Sequence, residues 1–314
     1  MILNIKNLRK QFPSCLAVAD LSFKISTNEI TGFVGPNGAG KTTTMRILAT
    51  IEQCTSGWID LDGTSLLDYP ELAKKHIGYV PDALPSNDDM TVHEYLDFFA
   101  RAFGLKNPVR NKTLIELEEF TNLINIKNKY INTLSKGMKQ RVSIARALIS
   151  DPDFILMDEP AAGLDPRARV ELRELLKVLC EQGKGIFISS HILTELSEIC
   201  TSTVIIERGR LLKSGKIDDV VNEITLQNNN NKRVVQIKTL APDETLIKKV
   251  IMEPMVSNFS ATSNYYQFEY EGTDVQASEL LANLLKDGHK IISFGFKQQN
   301  LESVFMNITK GEVQ

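Results

Sequence analysis

The sequence contains no apolar run approaching the ~18 residues needed to cross a bilayer as a helix, so no transmembrane segment is expected in its 314 residues. It also lacks C-x-x-C pairs. Cys15, Cys54, Cys180 and Cys200 are scattered along the chain, which argues against a zinc or redox centre and for reduced thiols. The four histidines form no H-E-x-x-H or other ligand cluster. There is no basic excess either. A net charge of −3 runs against the positive footprint of general nucleic-acid binding, so no nucleic-acid partner is expected. The opening MILNIKNLRKQF has no signal-peptide core, and a cytoplasmic chain is expected, with any membrane work left to a partner. What is present is ordinary for a soluble globular protein: 42% hydrophobic and 24% charged residues, in a length that suggests two domains.

The most informative stretch runs from Ile30 to Thr44, ITGFVGPNGAGKTTT. Gly35, four residues, then Gly40-Lys41-Thr42 matches the phosphate-binding P-loop spacing G-x-x-x-x-G-K-S/T. The context agrees: Ile30 to Val34 suits a buried strand, and a helix can begin at Thr42. Gly35, Gly38 and Gly40 permit positive φ and close backbone approach, so N–H groups converge on phosphate oxygens. The helix N-terminus adds partial positive charge there. The expected nucleotide-binding residues are therefore Gly35, Pro36, Asn37, Gly38, Ala39, Gly40, Lys41, Thr42 and Thr43. Lys41 is placed to neutralise the β- and γ-phosphates, and the Thr42 hydroxyl to ligate Mg²⁺ arriving with ATP.

Strand texture marks residues 1–27 and GWIDLDG, which ends at Asp62-Gly63. From Met90 to Ala147 the texture is helical. Thr91 and Glu94 form a capping box, and Tyr95, Phe98, Phe99 and Ala102 recur at helical spacing as expected core. Strands return in FILMDE (154–159) and GIFISS (185–190). The helix between them has Asp165 as its N-cap, Pro166 in its first turn and Gly183 beyond its end. Alternating buried strands and helices imply an α/β sheet with its ligand at the strand C-termini. The polar run Gln227–Lys232 reads as linker. Beyond it, RVVQIKTL, NYYQFEYEG and HKIISFGF read as strands, and DVQASELLANLLKDG and NLESVFMNITK as helices. The expected divisions are 1–222 with a helical subdomain near 88–148, a linker at 223–232, and an α+β unit at 233–314. That last unit carries no motif of chemistry and reads as an accessory domain, regulatory or bracing.

Four further segments narrow the nucleotide chemistry: NTLSKGMKQRVSIARAL (132–148), FILMDEP (154–160), AAGLDPR (161–167), and His191 directly after GIFISS. In this order behind a P-loop they resemble the nucleotide-binding subunits of ATP-binding-cassette (ABC) transporters, over roughly Met1 to Asp219. The resemblance implies an ABC-type P-loop ATPase fold with a helical subdomain. Leu134, Ser135, Gly137, Gln140 and Arg141 match the family signature LSGGQ followed by QR; Lys136 and Met138 depart from it. It also implies that Ser135 and the Gly137 N–H contact the γ-phosphate held by an opposite subunit. FILMDEP resembles a Walker B strand, with Asp158 at the metal and Glu159 as general base. AAGLDPR is similar to the D-loop along the dimer seam, a role for Asp165 that coexists with helix capping. His191 takes the place of the family's switch histidine. Phe12 resembles the aromatic that stacks on adenine, and Asp82 stands where the family usually has a metal-binding Gln.

By the same resemblance two copies meet head to tail, each ATP held between the P-loop of one and the signature of the other. The partners implied are a second copy and a separate integral membrane permease, docked near Asp82 to Tyr95. The tail NLESVFMNITKG is similar to that of ABC-2 type exporters. The expected function is thus the ATP-hydrolysing subunit of such an exporter, peripheral on the inner face of the cell membrane. The alternative is a soluble cassette ATPase acting on ribosomes or nucleic acid.

Overall fold

The computed structural model describes residues 1–84, 89–192, 196–220, 223 and 233–297. They fall into two compact units, the first running to Val220 and the second holding residues 233–297. The run Gln227–Lys232 and the segment Asn300–Lys310, expected as linker and closing helix, lie outside the described residues.

In the first unit β1 (Ile2–Gln11), β2 (Leu16–Ser26), β3 (Ile30–Val34), β4 (Ser56–Leu61), β5 (Thr64–Ser65), β6 (Ile77–Val80), β7 (Phe154–Met157), β8 (Gly185–Ser190), β9 (Ser202–Glu207) and β10 (Arg210–Lys216) share one sheet. Their order is β5-β4-β1-β2-β10-β9-β3-β8-β7-β6. The β4–β1–β2 side is antiparallel, and β9, β3, β8, β7 and β6 run parallel. Every residue of β3, β7 and β8 is buried, which is why these strands read as unbroken apolar runs. Phe33 stacks on Phe187 with centroids 4.8 Å apart, and Phe23 packs beside both. The parallel strands deliver their C-terminal ends to one edge, where P-loop and acidic residues converge.

The unit also holds helices α1 (Lys41–Leu48), α2 (Pro70–His76), α3 (Val92–Ala102), α4 (Val109–Phe120), α5 (Lys136–Leu148) and α6 (Pro166–Glu181). Thr91 and Glu94 close the capping box at the start of α3, and Asp165 accepts the Ala168 N–H at 2.9 Å to cap α6. A separate helical core gathers Val92, Tyr95, Leu96 and Ala100 of α3 with Leu114, Val142 and Ala145. This corrects one expectation. Phe98 is 53% exposed and Ala102 is exposed, whereas Leu96 and Ala100 are buried. Tyr95 and Phe99 do face the core side, but the stripe continues through Leu96 and Ala100, one residue from the phase first read. Arg146 of α5 ties the helical part to the sheet, donating to the Tyr79 carbonyl at 3.0 Å and the Tyr95 hydroxyl at 3.3 Å.

In the second unit β11 (Arg233–Thr239), α7 (Glu244–Met252), β12 (Val256–Thr262), β13 (Tyr265–Tyr270), α8 (Asp274–Lys286) and β14 (Ile291–Phe296) follow in order. The sheet order β12-β13-β11-β14, all antiparallel, is the ferredoxin-like βαββαβ arrangement. Val235, Ile237, Tyr266 and Phe268 form its core with Leu246, Val250, Leu280 and Leu284 of the helices. Asp243 caps α7, accepting from the Thr245 and Leu246 N–H groups and lying 2.7 Å from His289 Nδ1. Burial alone would raise the Asp243 pKa, but the hydrogen bonds from Thr245, Leu246 and His289 outweigh it and bring it down to about 2. A carboxylate depressed in the folded state contributes stability above its unfolded value of 3.8 and loses it as pH falls toward about 2. The protection of the α7 amides in the full chain, taken relative to intrinsic exchange at each pH, should therefore fall between about pH 4 and pH 2 in the wild type. Asp243→Asn should exchange faster already at neutral pH and lose most of that acid dependence.

Candidate functional site at the ends of β3, β7 and β8

The P-loop leaves β3 between the ends of β9 and β8, its neighbours on either side. Two of its glycines have different reasons to be there. Gly40 has φ 100, and a Cβ on it would lie 2.5 Å from the Ala17 carbonyl oxygen. Gly35 has no positive φ; a Cβ there would lie 2.6 Å from the Ile206 carbonyl oxygen, so close approach is what it supplies. Pro36, Asn37, Gly38 and Ala39 carry the loop between them, with Ala39 buried and Asn37 and Gly38 exposed. Lys41 opens α1 and is buried, its Nζ donating to the Gly35 carbonyl at 2.7 Å and the Pro36 carbonyl at 3.3 Å. Thr42 is exposed and Thr43 partly so, on the same first turn.

Register brings the acids to this loop. Val34 of β3 pairs with Ser190 of β8, and Met157 of β7 with Ile188. Asp158 is therefore buried beside Ser189, and Glu159 follows with φ 47, an uncommon backbone for a residue of its kind. Glu159 Oε1 lies 3.5 Å from Lys41 Nζ, and its Oε2 lies 2.8 Å from His191 Nδ1. An ionised carboxylate only accepts, so the imidazole meets it through Nδ1–H. Burial lowers the Lys41 pKa, with Glu159 and Asp158 pulling the other way. Lys41, Glu159 and His191 thus form one continuous line across the strand ends.

The remaining expected residues lie off this line. Ser135 caps α5, accepting the Met138 N–H at 3.3 Å, with Gly137 in the following turn. Phe12 sits in the β1–β2 turn, half-buried, with Lys10 Nζ 4.7 Å from its ring centroid. Asp82 is exposed and its carboxylate lies 3.8 Å from Lys136 Nζ. Two of the positions that depart from the resembled family, Asp82 and Lys136, are therefore near each other. Ser189, which bonds both acids, carries no sequence signal of its own. Only the β7–β8 pairing exposes it.

The sequence profile of the family described as ABC transporter matches residues 18–162. The Nod factor export ATP-binding protein I of Burkholderia lata is 32% identical over 99% of this chain and 98% of its own length. The chain belongs to the ABC transporter family, as one of its ATP-binding, ATP-hydrolysing subunits. The Nod factor export ATP-binding protein I of Cupriavidus pinatubonensis is 38% identical over 70% of this chain and 68% of its own length. A solved structure described as the ATP-binding subunit of an ABC transporter is 31% identical, with a TM-score of 0.65 over 72% of this chain and 94% of that one. The line Lys41–Glu159–His191 brings an ammonium, a carboxylate and an imidazole together at the strand ends, groups of the kinds that phosphoryl transfer to water uses.

Proposed function

We propose that this chain is the ATPase subunit of an ABC-2 type exporter, working as a head-to-tail homodimer on a separate membrane-spanning permease. The observation that carries its chemistry is Glu159, held between Lys41 at 3.5 Å and His191 at 2.8 Å. Export is supported by the relatives named above, both Nod factor export ATP-binding proteins. Among the described residues no helix is long and apolar enough to cross a membrane, in keeping with a permease on another chain and a cytoplasmic place at the membrane's inner face.

In this reading Gly35 to Thr43 cradle ATP, and Phe12 stacks on adenine. Ser135 and Gly137 of the second copy close over the γ-phosphate. Glu159 takes the proton of the attacking water and His191 orients the line from its far end. Among the described residues no three His, Cys, Asp or Glu side chains converge as a metal cluster. The exposed Thr42 hydroxyl and the buried Asp158 carboxylate are instead hard oxygen donors of the kind Mg²⁺ takes when it arrives on phosphates. Asp82 joins that set if its Lys136 contact opens. Bound there, Mg²⁺ would neutralise developing phosphate charge.

The test is copurification of the full chain from detergent-solubilised membranes. Recovery of an integral membrane protein with several spans is expected. Recovery of ribosomes or nucleic acid in its place would overturn the exporter assignment and leave the ATPase standing.

A further inference from the structure

Ser189 sits on β8 with no exposed surface. Its hydroxyl donates to Asp158 Oδ1 at 2.7 Å, and its oxygen accepts the Glu159 N–H at 2.9 Å. One side chain thereby meets two consecutive acidic residues, one through its carboxylate and the other through its backbone. A hydroxyl is the smallest group able to do this, since it offers a donor and two lone pairs at a single atom. The arrangement follows from register, because Met157 pairs with Ile188 and the next residues out are Asp158 and Ser189. The rest of the turn is held by Asp158 N–H donating to Val80 at 2.9 Å and Ala162 N–H donating to Glu159 at 3.1 Å.

These bonds act at the two points where the line of catalytic groups has freedom. Asp158 is 3% exposed, and a carboxylate so buried needs donors to hold one rotamer. Glu159 stands at φ 47, a region most side chains avoid unless the surroundings fix it. With its N–H anchored, the Glu159 carboxylate is aimed at both Lys41 and His191.

We propose that Ser189 is a positioning residue for ATP hydrolysis: it orients Asp158 toward a nucleotide-borne Mg²⁺ and locks the Glu159 backbone in the conformation that places the general base. The inference rests on the roles given above to Asp158 and Glu159. In this role Ser189 acts through those two residues. Partners of this kind are typically worth about 10- to 100-fold in activity or metal affinity.

The experiment compares full-length wild type, Ser189→Ala and Ser189→Thr, each first checked for thermal unfolding without nucleotide. Ser189→Ala should lower kcat by about 10- to 100-fold while KM for ATP stays within about threefold. It should also raise the Mg²⁺ concentration for half-maximal turnover. Binding of a fluorescent ATP analogue in EDTA should match wild type, and the tightening brought by added Mg²⁺ should shrink. Ser189→Thr, which keeps the hydroxyl, should recover most of both effects. Should the alanine variant not fold, Ser189→Cys, with its weak donor, replaces it in the same comparison. A wild-type kcat and Mg²⁺ dependence in Ser189→Ala, or equal losses in the alanine and threonine variants, would overturn the proposal. A wild type that hydrolyses no ATP would instead overturn the roles of Asp158 and Glu159 themselves.

Discussion

Glu159→Gln is expected to lower ATP turnover by roughly 10²- to 10⁴-fold, the usual worth of a positioned general base, while leaving ATP affinity close to wild type. Gln preserves the length and hydrogen-bonding reach of the side chain but cannot take a proton from water. It also removes the negative charge 3.5 Å from Lys41 Nζ. That charge competes with a γ-phosphate for the same ammonium, so its loss favours bound ATP. ATP that cannot be split should then hold two copies together. Single-turnover hydrolysis with size-exclusion chromatography in ATP and Mg²⁺ checks both parts. A variant that hydrolyses at the wild-type rate would remove Glu159 from the role of base.

Lys41→Ala should act on binding rather than on the proton. The ammonium is buried and hydrogen-bonded to two loop carbonyls, so it is already aimed within the loop that grips phosphate. Truncating one partner of a desolvated charge pair costs about 2–5 kcal/mol, or roughly 30- to 5,000-fold in affinity. Stability without nucleotide should move little, or upward, because burial holds the Lys41 pKa below its ordinary value and the charged form is costly to bury. The expected signature is an unfolding temperature near or above wild type in buffer that no longer rises when ATP is added. Calorimetric titration with ATP measures the affinity directly.

The parts of this architecture that depend on neighbours in sequence were legible in it. The P-loop needs only Gly35, Gly40, Lys41 and Thr42 at their spacing, and the caps at Thr91 and Asp165 act within their own first turns. Strands β3, β7 and β8 announce themselves because both faces are covered. Features that depend on pairing between distant segments were not legible. Ser189 meets Asp158 across 31 positions, and nothing local distinguishes it from Ser190. The phase of α3 is not fixed by its own residues, because Phe98 and Ala102 are apolar yet exposed, a choice that only packing against α4 and α5 decides. In the second unit α7 and β12 carry little local signal. They lie between Leu240 and Ser263, where short amphipathic segments are interrupted by Pro242 and Pro254. The βαββαβ topology could not be drawn without them.

The left-handed backbone of Glu159 also narrows which residues can ever replace it. Glycine, asparagine and aspartate adopt such dihedrals at little cost, whereas valine and isoleucine resist them. A lineage drifting away from hydrolysis at this position could accept the first group and keep a folded nucleotide-binding protein. The branched residues would damage the fold together with the chemistry, so inactive descendants should carry Gly, Asn or Asp there far more often than Val or Ile.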